Sequence, residues 1–157
     1  VPTGLEHNEK GNPSYTPEMH QKMVKKRHKK LDKAFEQYSG FELIKDKNHS
    51  SSLGIISWGS TEGPIREALD LLVKENIHLS FMQIKLLNPL PVKAIQEFSK
   101  KFENIVVIEH NYQGQLAGML DAFLDKNVLR LNKITGLPYY PNELLTELKN
   151  ILNGTEE

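Results

Sequence analysis

The sequence predicts an α/β protein built on a mainly parallel sheet with helices on both faces. Three observations predict it. Short apolar runs alternate with amphipathic helical stretches from Leu53 onward, and strands alternating with helices pair in parallel through right-handed crossovers. Ile55, Ile56 and Ile105 to Ile108 are apolar with no polar alternate, as strands buried on both faces require. The 157 residues, 38% hydrophobic and 25% charged, suit one ordinary globular domain with enough chain to bury a core without staples.

Each element follows from local pattern. Residues 1–17 carry Pro2, Gly4, Gly11, Pro13 and Pro17 without apolar periodicity, and read as an irregular N-terminal arm. Residues 18–157 read as a single α/β domain that opens with a basic helix over 18–38. There Met19, Met23, Leu31, Ala34, Phe35 and Tyr38 fall near one face, and Gly40 follows the end. Phe41–Lys45 is a short strand candidate, and DKNHSSS after it a polar loop. Leu53–Trp58 is an apolar strand. The helix expected from Thr61 to Glu75 has Ile65, Ala68, Leu69, Leu72 and Val73 as a stripe. LSFMQIKLL is the next strand, and NPLP leads into a helix from Val92 to Phe102 with Ile95, Phe98 and Phe102 apolar. NIVVIEH is a strand, Gln115 to Leu124 a helix, and VLRLNKI a strand. PNELLTELKNIL closes the chain as a helix, with Pro141 suited to its first turn. There is no internal repeat, low-complexity tract or convincing second domain.

Composition removes whole classes of function. Twenty basic side chains balance twenty acidic ones, so no global field draws nucleic acid or anionic lipid. Without cysteine there are no disulfides, thiolate nucleophiles, cysteine–zinc sites or iron–sulfur ligands, which suits a reducing cytoplasm. No apolar stretch approaches a membrane span of about 18 residues, and VPTGLEHNEK has no signal-peptide core. The first methionine is Met19, so the chain reads as a piece of something longer. Asn48-His49-Ser50 and Asn153-Gly154-Thr155 match the glycosylation pattern, but in the absence of a secretory signal they read as chance matches.

Candidate chemistry gathers at strand ends. Gly59 and Gly63 frame Ser60, Thr61 and Glu62 ahead of Pro64, where free helix N–H groups attract anions. The spacing is neither dinucleotide fingerprint nor P-loop, no lysine serves it, and Glu62 repels phosphate. Glycines for the turn, a hydroxyl cap and a first-turn proline explain the same residues without a ligand. Glu109 ends a strand, where ligands and partners meet open parallel sheets; it reads either as a base or partner contact, or as a carboxylate capping a nearby loop. Leu87 and Leu90 in LLNPLP suit a subunit interface or packing of the crossover on its own sheet. From Lys22 to Lys33, seven of twelve residues are basic. That face could dock an acidic protein or a nucleotide phosphate, or simply be solvated; without interleaved aromatics, nucleic acid is its weakest partner. The six histidines are scattered without H-x-x-x-H spacing, so no metal site is expected, and SWGS is not a nucleophile elbow.

The segments PTGLEHNEKGNPSYTPEMHQKMVKKRHKKL, WGSTEGPIREAL, LLNPLP, EHNYQGQL and ITGLPYYPNEL together resemble the C-terminal region of the α subunit of 2-oxoacid:ferredoxin (or flavodoxin) oxidoreductases, in the family's order and over nearly the whole chain. The resemblance implies a fold like the transketolase C-terminal domain: a three-layer α/β/α sandwich on a mainly parallel five-stranded sheet with one antiparallel strand, here Phe41–Lys45. It implies a parent complex that uses thiamine diphosphate, coenzyme A and iron–sulfur clusters to oxidise pyruvate or 2-oxoglutarate. None of those groups is expected on this chain, and no catalytic residue transfers to it. Its implied role is assembly with other domains and subunits, a homodimer being open, with Gly59, Ser60, Thr61, Asn88, Pro89, Glu109 and Gln115 as interface candidates. Two other readings remain: a free-standing CoA- or nucleotide-binding module, and the matching domain of a 2-oxoacid dehydrogenase E1 β chain.

Overall fold

Five strands assemble because each apolar run has a partner of matching length. The computed structural model describes residues 6–44 and 52–154. They fall in two compact units divided between Ser39 and Gly40, so the basic helix groups with the arm rather than with the sheet.

In the first unit, helix α1 spans Pro17–Gln37. Residues 6–16 ahead of it hold hydrogen-bonded turns where the sequence suggests an irregular arm. Asn8 Oδ1 accepts from the backbone N–H groups of Lys10 (2.9 Å) and Asn12 (3.0 Å), and the Ser14 N–H bonds the Glu6 carbonyl at 2.9 Å. Side-chain acceptance of this kind closes a turn where composition shows only glycine and proline. The Arg27 guanidinium clamps the Glu6 carboxylate with two bonds, 3.1 and 2.9 Å. With help from the His7 N–H, it pulls the Glu6 pKa down to about 2.

The second unit is a single sheet. Its strands are β1 Phe41–Ile44, β2 Leu53–Trp58, β3 Ser80–Ile84, β4 Asn104–Glu109 and β5 Val128–Asn132. Their spatial order is β1-β3-β2-β4-β5. β1 runs antiparallel to β3, with Phe41 opposite Ile84, and the other neighbours are parallel. This is the mixed five-stranded sheet that the resemblance implies. Lys45 and residues 46–51, the end of that strand and most of the polar loop, lie outside the described residues.

Four helices cover the sheet: α2 Glu62–Lys74, α3 Val92–Ser99, α4 Gln115–Asp121 and α5 Pro141–Leu152. Alternate strand residues feed two cores. Leu53, Ile55, Phe81, Val106 and Ile108 meet α2 and α5 on one face. Ile56, Met82, Ile84, Ile105 and Val107 meet α3 and α4 on the other. The result is a three-layer α/β/α sandwich. Pro141 stands first in α5, as its missing N–H allows. α3 and α4 stop short of their expected ends because Phe102 and Leu124 pack as buried loop residues beyond the last helical turn.

Candidate functional site

In a sheet of this order the chain passes from β2 to β3 on one side and then crosses back to β4 on the other side of β2, so the carboxyl ends of β2 and β4 flank the crevice where ligands usually enter. Ser57 Oγ closes that gap by donating to the Ile108 carbonyl at 2.5 Å. The single Thr61 hydroxyl proton is shared between Ser57 Oγ and the Trp58 carbonyl, the latter at 2.9 Å. The hydroxyl expected to cap α2 therefore ties a strand end instead, and α2 has no side-chain cap. The physical reason is the Gly59–Thr61 3₁₀ turn ahead of the helix. It carries Thr61 into αR conformation, where its side chain points back at the strand. Gly59 makes the turn with φ +68°, a conformation open to glycine, whereas Gly63 meets no such demand. Glu62, in the first turn of α2, is held by Lys85 and Arg66. The Lys85 ammonium, then Arg66, keep its carboxyl below the usual range.

Glu109 is the centre of this end of the sheet. It is 1% exposed. Its Oε2 accepts from Trp58 Nε1 (3.2 Å), Asn111 Nδ2 (2.7 Å) and the Leu116 N–H (3.0 Å), and its Oε1 from the Ala117 N–H (3.0 Å). Leu116 and Ala117 are the second and third residues of α4, whose N–H groups have no partner inside the helix. Asn111 Oδ1 takes the N–H groups of Gly114 (2.7 Å) and Gln115 (3.2 Å). One carboxylate and one amide thus satisfy the start of α4 and pin Trp58 of β2 to β4. Of the two readings of Glu109, this geometry is that of the internal cap.

A crevice of about 570 Å³ opens beside this network, lined by Ser60, by His110, Asn111 and Tyr112 after β4, and by the loop from Lys133 to Pro138 after β5. Lys133 bonds Glu143 at 2.5 Å and lies 5.2 Å from the ring centres of Tyr139 and Tyr140, a cation–π distance. The Lys133 ammonium lowers the Glu143 carboxyl pKa. Tyr139 donates its hydroxyl to the Leu131 carbonyl at 2.9 Å, and burial pushes its pKa well up. Of the lining residues, Tyr112, Ile134 and Leu137 are 80, 63 and 55% exposed, and Tyr140, next to Lys133, is 58% exposed. A separate groove of about 450 Å³ lies among Trp58, Leu87, Gln115, Leu116 and Met119.

The seven residues singled out from sequence all sit at the carboxyl end of the parallel strands, but they do not converge on one pocket. Ser60 lines the first crevice and Gln115 the groove. Thr61 and Glu109 are buried. Gly59 and Asn88 are exposed and Pro89 half-buried, in the loops after β2 and β3. Leu87 and Leu90 pack onto the α3–α4 core, the crossover-packing alternative. Sequence reasoning missed the exposed apolar set Tyr112, Ile134, Leu137 and Tyr140. A signal existed: ITGLPYY sets bulky residues among turn formers, where periodicity assigns no buried face.

Comparison with known proteins identifies the frame to which this site belongs. The profile of pyruvate:ferredoxin oxidoreductase core domain II matches residues 51–144. The chain belongs to this family. It is 35% identical to subunit alpha of 2-oxoacid:ferredoxin oxidoreductase 2 of Aeropyrum pernix, over all of this chain and 25% of that one. Among solved structures, the 2-oxoglutarate:ferredoxin oxidoreductase of Magnetococcus marinus, determined with 2-oxoglutarate, coenzyme A and succinyl-CoA bound, is similar at TM-score 0.79 and 34% identity. That match covers 97% of this chain and 26% of the other. A split-gene transketolase, at TM-score 0.57 and 15% identity over 74% of this chain and 42% of its own, shares the fold. The chain thus spans about a quarter of the length of its oxidoreductase relatives. The family membership separates it from the E1 β reading. Among the described residues, no helix is long and apolar enough to cross a membrane.

Proposed function

We propose that this domain is an assembly element of a multi-subunit 2-oxoacid:ferredoxin oxidoreductase that oxidises pyruvate or 2-oxoglutarate in the cytoplasm. It supplies contact surface and no reacting group. Thiamine diphosphate, coenzyme A and iron–sulfur clusters belong to the neighbouring domains and subunits. The observation that carries this reading is the contrast at the carboxyl end of the sheet. Glu109 turns both oxygens inward onto four N–H groups, while Tyr112, Ile134, Leu137 and Tyr140 stand in solvent around the adjoining crevice. A polar-rimmed apolar patch of this kind marks a protein contact. Gly59, Ser60, Asn88 and Gln115 extend the same end of the domain, and Thr61, Pro89 and Glu109 shape it from behind. The α-subunit names of the relatives support the choice of complex.

Two results test it. The isolated chain, given 2-oxoacid, thiamine diphosphate, coenzyme A and ferredoxin, shows no turnover. The double variant I134D/L137D leaves thermal unfolding of the isolated chain within about 0.5 kcal/mol of wild type, as surface changes do, yet in the complete α subunit it prevents co-purification of the partner subunits. Turnover by the chain alone, or unaltered assembly of the variant, contradicts the proposal. A second reading, a coenzyme A-binding module, draws on the crevice volume, which lies in the range of small-molecule pockets. It requires stabilisation of the chain by coenzyme A alone.

A further inference from the structure

The face of α1 from Lys22 to Lys33 has no part in the proposed contact at the sheet. Lys22, Lys25, Lys26, Lys29, Lys30 and Lys33 fall on an arc of about 140° at 100° per residue, and all six are exposed. They line a groove of about 520 Å³ together with Glu9 and the buried Met23. Of these six lysines, Lys22 is the one ion-paired to a described residue, Glu9 at 2.8 Å. Lys22–Lys26, Lys25–Lys29, Lys26–Lys30 and Lys29–Lys33 are like charges at i, i+4 spacing, an arrangement that opposes helix formation. A solvated helix face ordinarily relieves this with acids at the same spacing; here Glu18 stands four residues before Lys22, none stands between Lys22 and Lys30, and Asp32 lies at the edge, about 80° from Lys22.

We propose that this face is a docking surface for an acidic helix of another protein. Three features favour carboxylates over phosphates. The face is made of lysines, point charges on flexible stems, and the one arginine nearby, Arg27, is already engaged in a two-bond clamp on Glu6. No Phe, Tyr or Trp interrupts the stretch for stacking on bases. The charges extend about 17 Å along the helix axis, which spans several turns of a partner helix and exceeds one diphosphate. The lysine stems and Met23 add an apolar floor against which a partner's alanines and leucines pack.

The test uses the 157-residue chain and a fluorescein-labelled alanine–glutamate peptide with glutamates at i, i+4 spacing, titrated by anisotropy at about 0.1 M salt, where the screening length is about 10 Å. Wild type binds saturably, and K25Q/K29Q/K33Q weakens binding at least about tenfold, the loss of several charge contacts. K93Q/K100Q/K101Q, on α3 and its C-terminal end, leaves it unchanged. Glutamine keeps good helix propensity, so thermal unfolding of the α1 triple variant stays at or above the wild-type temperature. Absent binding, equal loss in both triple variants, a lowered unfolding temperature in the α1 variant, or displacement of the peptide by a single-stranded RNA or by pyrophosphate overturns the proposal.

Discussion

Glu109 shows how a single side chain decides what the end of a strand does. Its carboxylate takes two N–H groups of the α4 start, the Trp58 indole and the Asn111 amide, replacing water for donors that the fold has buried. Removing the acceptor leaves those donors unpaired, at about 1–3 kcal/mol for each that water does not reach. Glu109→Ala is therefore expected to lower stability by about 3 kcal/mol or more. Glu109→Gln keeps one acceptor oxygen and sets an amide NH₂ against the Ala117 N–H, for a smaller loss of about 1–2 kcal/mol. Urea denaturation of both variants checks this order, and equal, small effects would contradict it. At this scale the sequence was only half legible. It placed Glu109 at the strand end, but which of its two roles it fills depended on Trp58, which is 51 residues away in the chain. The hydroxyl cap expected in this turn is absent for the same reason: what claims the Thr61 hydroxyl sits across a turn whose 3₁₀ form no residue pattern announces.

Among elements, β2 is the most constrained. It lies between β3 and β4 and is covered on both faces. Within it, Gly54 has a backbone approached by Phe102: a Cβ placed there meets Phe102 Cδ2 at 2.6 Å and Ile105 Cδ1 at 3.0 Å. Gly54→Ala is expected to cost about 1–3 kcal/mol through overpacking. Pairing it with Phe102→Leu should recover part of the loss, read as non-additivity in a double-mutant cycle. Full additivity would mean that the two residues do not share the space. Strands and helices were legible because two-sided burial writes continuous apolar runs and one-sided burial writes a 3.6-residue stripe. The antiparallel sense of β1 was not. Four residues with no alternation carry no direction, and it came from family resemblance. Helix ends slipped by a turn where an apolar residue such as Phe102 serves the core from a loop.

For the molecule as a whole, sequence periodicity reached the layer order and placed the candidate residues at one end of the sheet, because crossovers in a parallel sheet bring all the β-to-α loops together. It did not reach the exposed patch of Tyr112, Ile134, Leu137 and Tyr140, whose apolar side chains follow no buried face, nor the division of the chain after Ser39. The central claim is that this domain is a surface for other polypeptides and leaves the chemistry to them. Calorimetric titration of the chain with thiamine diphosphate and Mg²⁺, then with coenzyme A, tests that claim most directly. The account predicts no saturable heat in either titration; micromolar binding of thiamine diphosphate by the chain alone would contradict it.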